Sequence, residues 1–203
     1  MSPAYTIMIA AILTEGLLVI ISYPVLWLFL LEIHWSPSLV TASIGLASAL
    51  PLLIINHLLW RASLTKPRSV FARFSSEVIV PLCRQITPSN AFVIALLSGF
   101  GEELFFRGAL NQLILKYSDL FTAALLSSVL FAYIHFIGNM RRFGWMMPLY
   151  SCVGLYLWLV HYYTDSLFAV VVTHATYNFL AILWIRRSTR AASSKQKLCA
   201  PGE

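Results

Sequence analysis

The run GEELFFRGAL at residues 101–110 places two adjacent carboxylates, Glu102 and Glu103, and a guanidinium, Arg107, within a stretch otherwise apolar enough to cross a membrane. Ionised side chains are expensive in hydrocarbon and persist there for use or for mutual pairing. Glu103 and Arg107 are four apart, on one helical face where they can pair. Glu102 points about 100° away and is left looking for another partner. Two later stretches repeat the pattern of polar groups within apolar sequence: Phe131-x-x-x-His135 in LFAYIHF and His174-x-x-x-Asn178 in VTHATYNF. At this spacing each pair shares a helical face. A buried carboxylate beside an imidazole can hold a water and take its proton. A second imidazole with a carboxamide can donate hydrogen bonds to the oxyanion formed when that water attacks a peptide carbonyl. Hydrolysis is the simplest chemistry for the set. Taken singly, each element has a structural explanation, such as an ion pair or an interhelical hydrogen bond; all three, in order and on separate spans, point to a site.

The elements that must position these groups are membrane helices. Of 203 residues 59% are hydrophobic and only 11% charged, with mean hydropathy +0.78, against roughly 25% charged residues in a soluble domain. The expectation is an all-α, polytopic transmembrane helix bundle of about six spans, near 5–31, 38–60, 89–115, 119–139, 145–163 and 165–186, each meeting the length of about 20 residues that spanning requires. Residues 1–190 then form a single integral membrane domain with a catalytic core at about 89–180, and the Ser/Lys-rich 191–203 reads as a disordered cytoplasmic tail. The first span carries Pro24 and an intramembrane acid, Glu15, a functional candidate by default; without a basic leader or cleavage site it reads as a retained helix. Apolar and basic residues interleave in the 61–88 segment, which suggests an amphipathic helix on the cytoplasmic face. At about 1.5 Å per residue, Glu102, His135, His174 and Asn178 all fall in or near the cytoplasmic half of their spans.

The net charge of +6 does not indicate nucleic acid, because the cations sort by side. Six spans put twelve of the fourteen Lys and Arg residues on one face, with the 61–88 and 140–144 loops and both termini. By the positive-inside rule that face is cytoplasmic, and anionic lipid headgroups are its natural partners. Cys83, Cys152 and Cys199 lack metal-type spacing and form no disulfide framework.

The three motifs resemble the signature of the CPBP family (CAAX prenyl protease and bacteriocin-processing, also called ABI) of intramembrane proteases: Glu-Glu-x-x-x-Arg, then Phe-x-x-x-His, then His-x-x-x-Asn, on successive core helices. The stretch Thr164-Asp165-Ser166-Leu167 and the pair Arg107-Gly108 also look familial. The resemblance covers about residues 89–180. It implies that Glu102 and His135 activate the attacking water, that His174 and Asn178 form the oxyanion hole, and that Glu103 and Arg107 support the helix. The family has been described both as metal-dependent and as glutamate-dependent. No cofactor is assigned as required here; were a divalent metal such as zinc used, its ligands would be Glu102, His135 and His174, although no His-Glu-x-x-His pair is present. The implied partner is a membrane-associated peptide or protein tail, processed as a CAAX-type, leader or C-terminal sorting-tag substrate, and the implied location a bacterial inner or cell membrane. Two other classes stay open on the residues alone. Intramembrane Glu and His relay protons in transporters, although no inverted repeat is visible, and an immunity or scaffold protein could keep the fold without catalysis.

Overall fold

A computed structural model of the chain describes residues 3–198, with side chains described over 4–190. Seven helices succeed one another: α1 (Pro3–Phe29), α2 (Leu39–Thr65), α3 (Val70–Gln85), α4 (Pro88–Tyr117), α5 (Leu120–Phe136), α6 (Met140–Thr164) and α7 (Leu167–Leu198), with no strand among the described residues. The helix starts follow capping chemistry. Ser38 and Thr41 form a capping box at α2, the Thr87 side chain accepts from the Asn90 amide with Pro88 at the first turn of α4, and the Asp119 carboxylate accepts from the Thr122 amide at α5. Each satisfies a backbone donor that the helix itself leaves unpaired.

The all-α polytopic bundle is thus the architecture, but the span count differs from six. Four helices, α1, α2, α6 and α7, are long and apolar enough to cross a membrane, and α3 with α4 adds a fifth only as a bent pair, turned by 116° at the break between them. Two physical facts account for the shortfall. Helix α4 carries Glu102, Glu103 and Arg107 within its apolar run, and α5 has 17 residues, a length of about 25 Å at 1.5 Å per residue where the hydrocarbon is about 30 Å thick.

Of the 61–88 segment, residues 61–65 complete α2 and Val70–Gln85 form α3. Ala72, Phe74, Ser75 and Cys83 are buried while Arg73, Glu77 and Arg84 face outward. Phe74 anchors it against Phe136 of α5 and Phe143 and Tyr150 of α6, with ring centroids 5.6, 5.2 and 6.2 Å away. An ion pair between Glu77 and Arg142 ties its outer face to the start of α6. The final helix continues through Ala-, Lys- and Gln-containing sequence, all good helix formers, to Leu198; of the tail expected to be disordered, 199–203 lies outside the described residues. So does Cys199, while Cys83 is a buried and Cys152 an exposed free thiol.

Two glycines let the helices that carry the polar groups approach closely. A Cβ on Gly99 of α4 would sit 2.9 Å from the backbone of Ala175 in α7. One on Gly154 of α6 would sit 3.1 Å from the Ser128 carbonyl in α5. Small residues at such crossings are how membrane helices gain packing contact. The apolar core around them includes Leu104, Phe106, Phe131, Leu157, Leu167 and Val170.

Candidate active site

Within α4 the backbone passes from α-helix to π-helix at Leu104–Leu110, directly after the two glutamates. Such bulges are rare and concentrate at functional sites. Glu102 and Glu103 diverge as neighbours on a helix must. Glu103 is fully buried and its Oε1 accepts two hydrogen bonds, from Arg107 Nη1 at 3.1 Å and from His174 Nδ1 of α7 at 2.7 Å. Arg107, 1% exposed, donates Nη2–H to the Gly154 carbonyl at 2.7 Å and lies over the Phe131 ring, 4.7 Å from its centroid. The guanidinium therefore has a carboxylate, a carbonyl and a ring face as partners, a combination only its planar fork can meet at once. The close α5–α6 crossing at Gly154 is what brings that carbonyl to it.

Glu102 faces α5. Its Oε2 is buried without a hydrogen-bond partner and stands 3.8 Å from Nε2 of His135, whose side chain is 28% exposed. At the other ring nitrogen, His135 Nδ1 lies 2.8 Å from the Phe131 carbonyl. A carbonyl only accepts, so Nδ1 carries the hydrogen, and in the neutral ring Nε2 presents its lone pair toward Glu102. Phe131 thus does two things: its ring supports Arg107 and its carbonyl sets the tautomer of His135, one helical turn away. Tyr150 of α6 closes the other side of the imidazole, ring centroids 5.0 Å apart.

His135, His174 and Asn178 all reach the wall of one cavity of about 210 Å³, enclosed by α2, α3, α5, α6 and α7. Its remaining wall is mostly apolar, with Leu52, Leu59, Trp60, Phe71, Leu82 and Ile182 among the lining residues and Tyr150 and Tyr177 adding polar tips. Asn178 is held by α4: its Nδ2–H donates to Ser98 Oγ at 2.8 Å. The six residues singled out by motif therefore converge, Glu102 on His135, Glu103 on both Arg107 and His174, and Asn178 beside His174 on the cavity wall.

Three participants carry no charge or motif to flag them. Ser98 is four residues before Glu102, the one sequence signal that could have found it; the Gly154 carbonyl and Tyr150 left none. Glu15 of α1 meets α4 beside the site, since a Cβ on Gly101 would lie 2.8 Å from its Oε2. As to a metal, no three His, Cys, Asp or Glu side chains among the described residues are placed to hold an ion together. Nδ1 of His174 is engaged by Glu103 and Nδ1 of His135 by a backbone carbonyl, which leaves Nε2 of each ring free.

No curated protein and no solved structure matches the chain. One family model does: that of the Rce1-like, type II CAAX prenyl endopeptidases, over residues 84–180, which include Ser98 and every residue of the three motifs. Over residues 84–180 the chain thus matches the Rce1-like CAAX prenyl endopeptidases, a family that implies an integral membrane protease acting on a membrane-associated peptide or protein.

Proposed function

We propose that the chain is an intramembrane endopeptidase in which Glu102 and His135 activate a water and His174 with Asn178 stabilises the oxyanion, with no step requiring a metal. The observation that carries this is the 3.8 Å separation of Glu102 Oε2 from His135 Nε2, two acceptors facing one another, of which His135 also lines the cavity. That gap is too long for a direct hydrogen bond and suits one water donating to both. With each donor–acceptor distance at about 2.8 Å, the acceptors subtend about 85° at the water oxygen, which leaves its lone pairs to face a carbonyl carbon.

On attack, one water proton passes to the Glu102–His135 pair, the hydroxide oxygen bonds to the carbonyl carbon, and the carbonyl oxygen becomes the oxyanion. Asn178 Nδ2–H can donate to it. His174 can do so only through Nε2–H, and because its Nδ1–H is committed to Glu103 the donating form is the imidazolium, with Glu103 as counter-ion. Collapse of the intermediate breaks the C–N bond, and the proton held by the pair leaves on the amine. Preorganised donors of this kind are commonly worth 10²–10³ in rate each.

The apolar cavity wall favours an uncharged, hydrophobic segment of a membrane-associated tail, of CAAX, leader or sorting-tag type. With α4 and α5 each crossing as well, which makes six spans, the cationic distribution favours a cytoplasmic site in a bacterial membrane with both termini on that side and anionic lipid around it, and gives no place to nucleic acid. The test is Glu102→Gln on detergent-purified protein, assayed against a panel of internally quenched peptides: an S-farnesyl CAAX peptide, a leader peptide and a sorting tag. Gln keeps the shape and removes the base, so cleavage of whichever peptide the wild-type protein accepts is expected to vanish while the thermal midpoint is retained. Cleavage at the wild-type rate would refute the assignment.

A further inference from the structure

Ser98 lies on α4 one turn before Glu102, is 7% exposed, and belongs to none of the three motifs. Its hydroxyl has one hydrogen and two lone pairs. The hydrogen goes to the Ala95 carbonyl, 3.3 Å away on the preceding turn. A lone pair is thus what the hydroxyl offers to the Asn178 carboxamide at 2.8 Å, and a lone pair can be met only by the NH₂ end of the amide. The carboxamide is planar, with its two hydrogens about 120° apart by sp² geometry. Fixing one hydrogen on Ser98 fixes the direction of the other and turns Oδ1 away.

We infer that Ser98 is a positioning residue of the protease: it selects the orientation of the Asn178 amide, so that an N–H rather than Oδ1 faces the developing oxyanion. The inference rests on the oxyanion role proposed for Asn178. An amide in the opposite orientation would present a partial negative charge to the oxyanion and oppose the reaction it should assist. The close crossing at Gly99 and Ala175 supplies the rigidity, because it seats α4 on α7 immediately beside the Ser98–Asn178 bond. The same face of α4 thus carries the group that orients the oxyanion donor and, one turn on, the carboxylate proposed to activate the water.

The experiment compares Ser98→Ala, Asn178→Ala and the double variant of the full chain, using the peptide that the wild-type protein cleaves best in the panel above. Ser98→Ala is expected to lower kcat about tenfold, the upper range for one neutral hydrogen bond, with KM within twofold, and to have no further effect when Asn178 is already Ala. Ser98→Thr, which keeps the hydroxyl, is expected to recover most of the rate. Full activity of Ser98→Ala, or an equal loss in both backgrounds, overturns the inference. Full activity of Asn178→Ala instead removes the oxyanion reading beneath it, so the two failures are distinct. A measurement without substrate uses protein labelled with ¹⁵N-asparagine, in which the chain has five side-chain amides. Asn178→Ala assigns its own signal, and Ser98→Ala is expected to shift that signal; an unmoved signal overturns the inference as well.

Discussion

Replacing Glu103 by Gln changes one atom and tests whether the same carboxylate serves stability and catalysis. Its Oε1 takes hydrogen bonds from both Arg107 and His174, and its Oε2 is buried without a partner. Gln can leave an oxygen where Oε1 stands, but its NH₂ then occupies the Oε2 position with no acceptor to meet it. Charge is the larger loss. Arg107, 1% exposed, stays cationic in the bundle without its counter-ion, and removing one partner of a buried pair costs about 3–5 kcal/mol. The Gly154 carbonyl and the Phe131 face remain, and a desolvated cation–π contact retains about 2 kcal/mol, so the cost belongs at the lower end, about 3 kcal/mol. For a chain of this size that lowers the melting midpoint by roughly 6–12 °C. The second effect is on rate. Without the carboxylate the imidazolium of His174 loses its counter-ion, and kcat per folded molecule should fall about 10²-fold, the cost of one oxyanion donor. Differential scanning fluorimetry in detergent and turnover normalised to folded protein read the two separately. A Glu103→Gln variant that melts and cleaves like the wild type would refute the reasoning, and one that loses stability alone would reduce Glu103 to a helix support.

Arg107→Lys should lower yield and melting midpoint more than it lowers turnover of the folded fraction, because an ammonium cannot reach Glu103 and the Gly154 carbonyl while lying flat on Phe131; a well-folded but inactive variant would move Arg107 into the catalytic set. Outside the membrane, the loop before α2 is joined to the turn before α7 by His34 Nδ1 and Asp165 Oδ2, 3.0 Å apart, and hydrogen bonding to Asp165 with its charge raises the imidazole above its ordinary value. A raised value means that this contact stabilises fully below about pH 6.5 and loses its effect as pH rises through the raised value. His34→Gln should therefore lower the melting midpoint at pH 5.5 and leave it unchanged at pH 9, by a small amount because both groups are exposed; an equal shift at both values would sink the idea.

The parts of this site legible in the sequence were those with a fixed helical offset. Four-residue spacing placed Arg107 on Glu103, and a 100° step turned Glu102 elsewhere, because both follow from the local helix alone. Spacing also put Phe131 beside His135, though not the use of a backbone carbonyl to set the tautomer. What escaped was pairing across helices. The His174–Glu103 bond joins positions 71 apart, and the Asn178–Ser98 bond joins positions 80 apart. Both depend on where α7 crosses α4, and that crossing is set by Gly99 against Ala175, residues that carry no chemistry of their own. The expectation of about six spans stands above the four or five helices long and apolar enough to cross a membrane for a related reason. Hydropathy measures apolarity without distinguishing lipid-facing from site-facing residues, so a helix that carries the reactive groups and a 17-residue neighbour look like ordinary spans.

Adjacency gives the two glutamates different surroundings, and the proposed mechanism uses the difference. On a helix, consecutive residues face directions about 100° apart, so one position looks toward α7 and Arg107 and the other toward α5. The position facing α7 is enclosed, and its carboxylate is consumed by two donors, which leaves it no capacity to take a proton from water without releasing Arg107 or His174. The position facing α5 meets an imidazole whose only hydrogen is already bound to Phe131, so neither group has a proton for the other and both can accept from a molecule between them. On the proposed mechanism a single glutamate could not do both, since the bonds that would hold His174 for oxyanion binding are the ones that would quench a base. On the proposed mechanism the pair therefore separates counter-ion from base along one turn of α4.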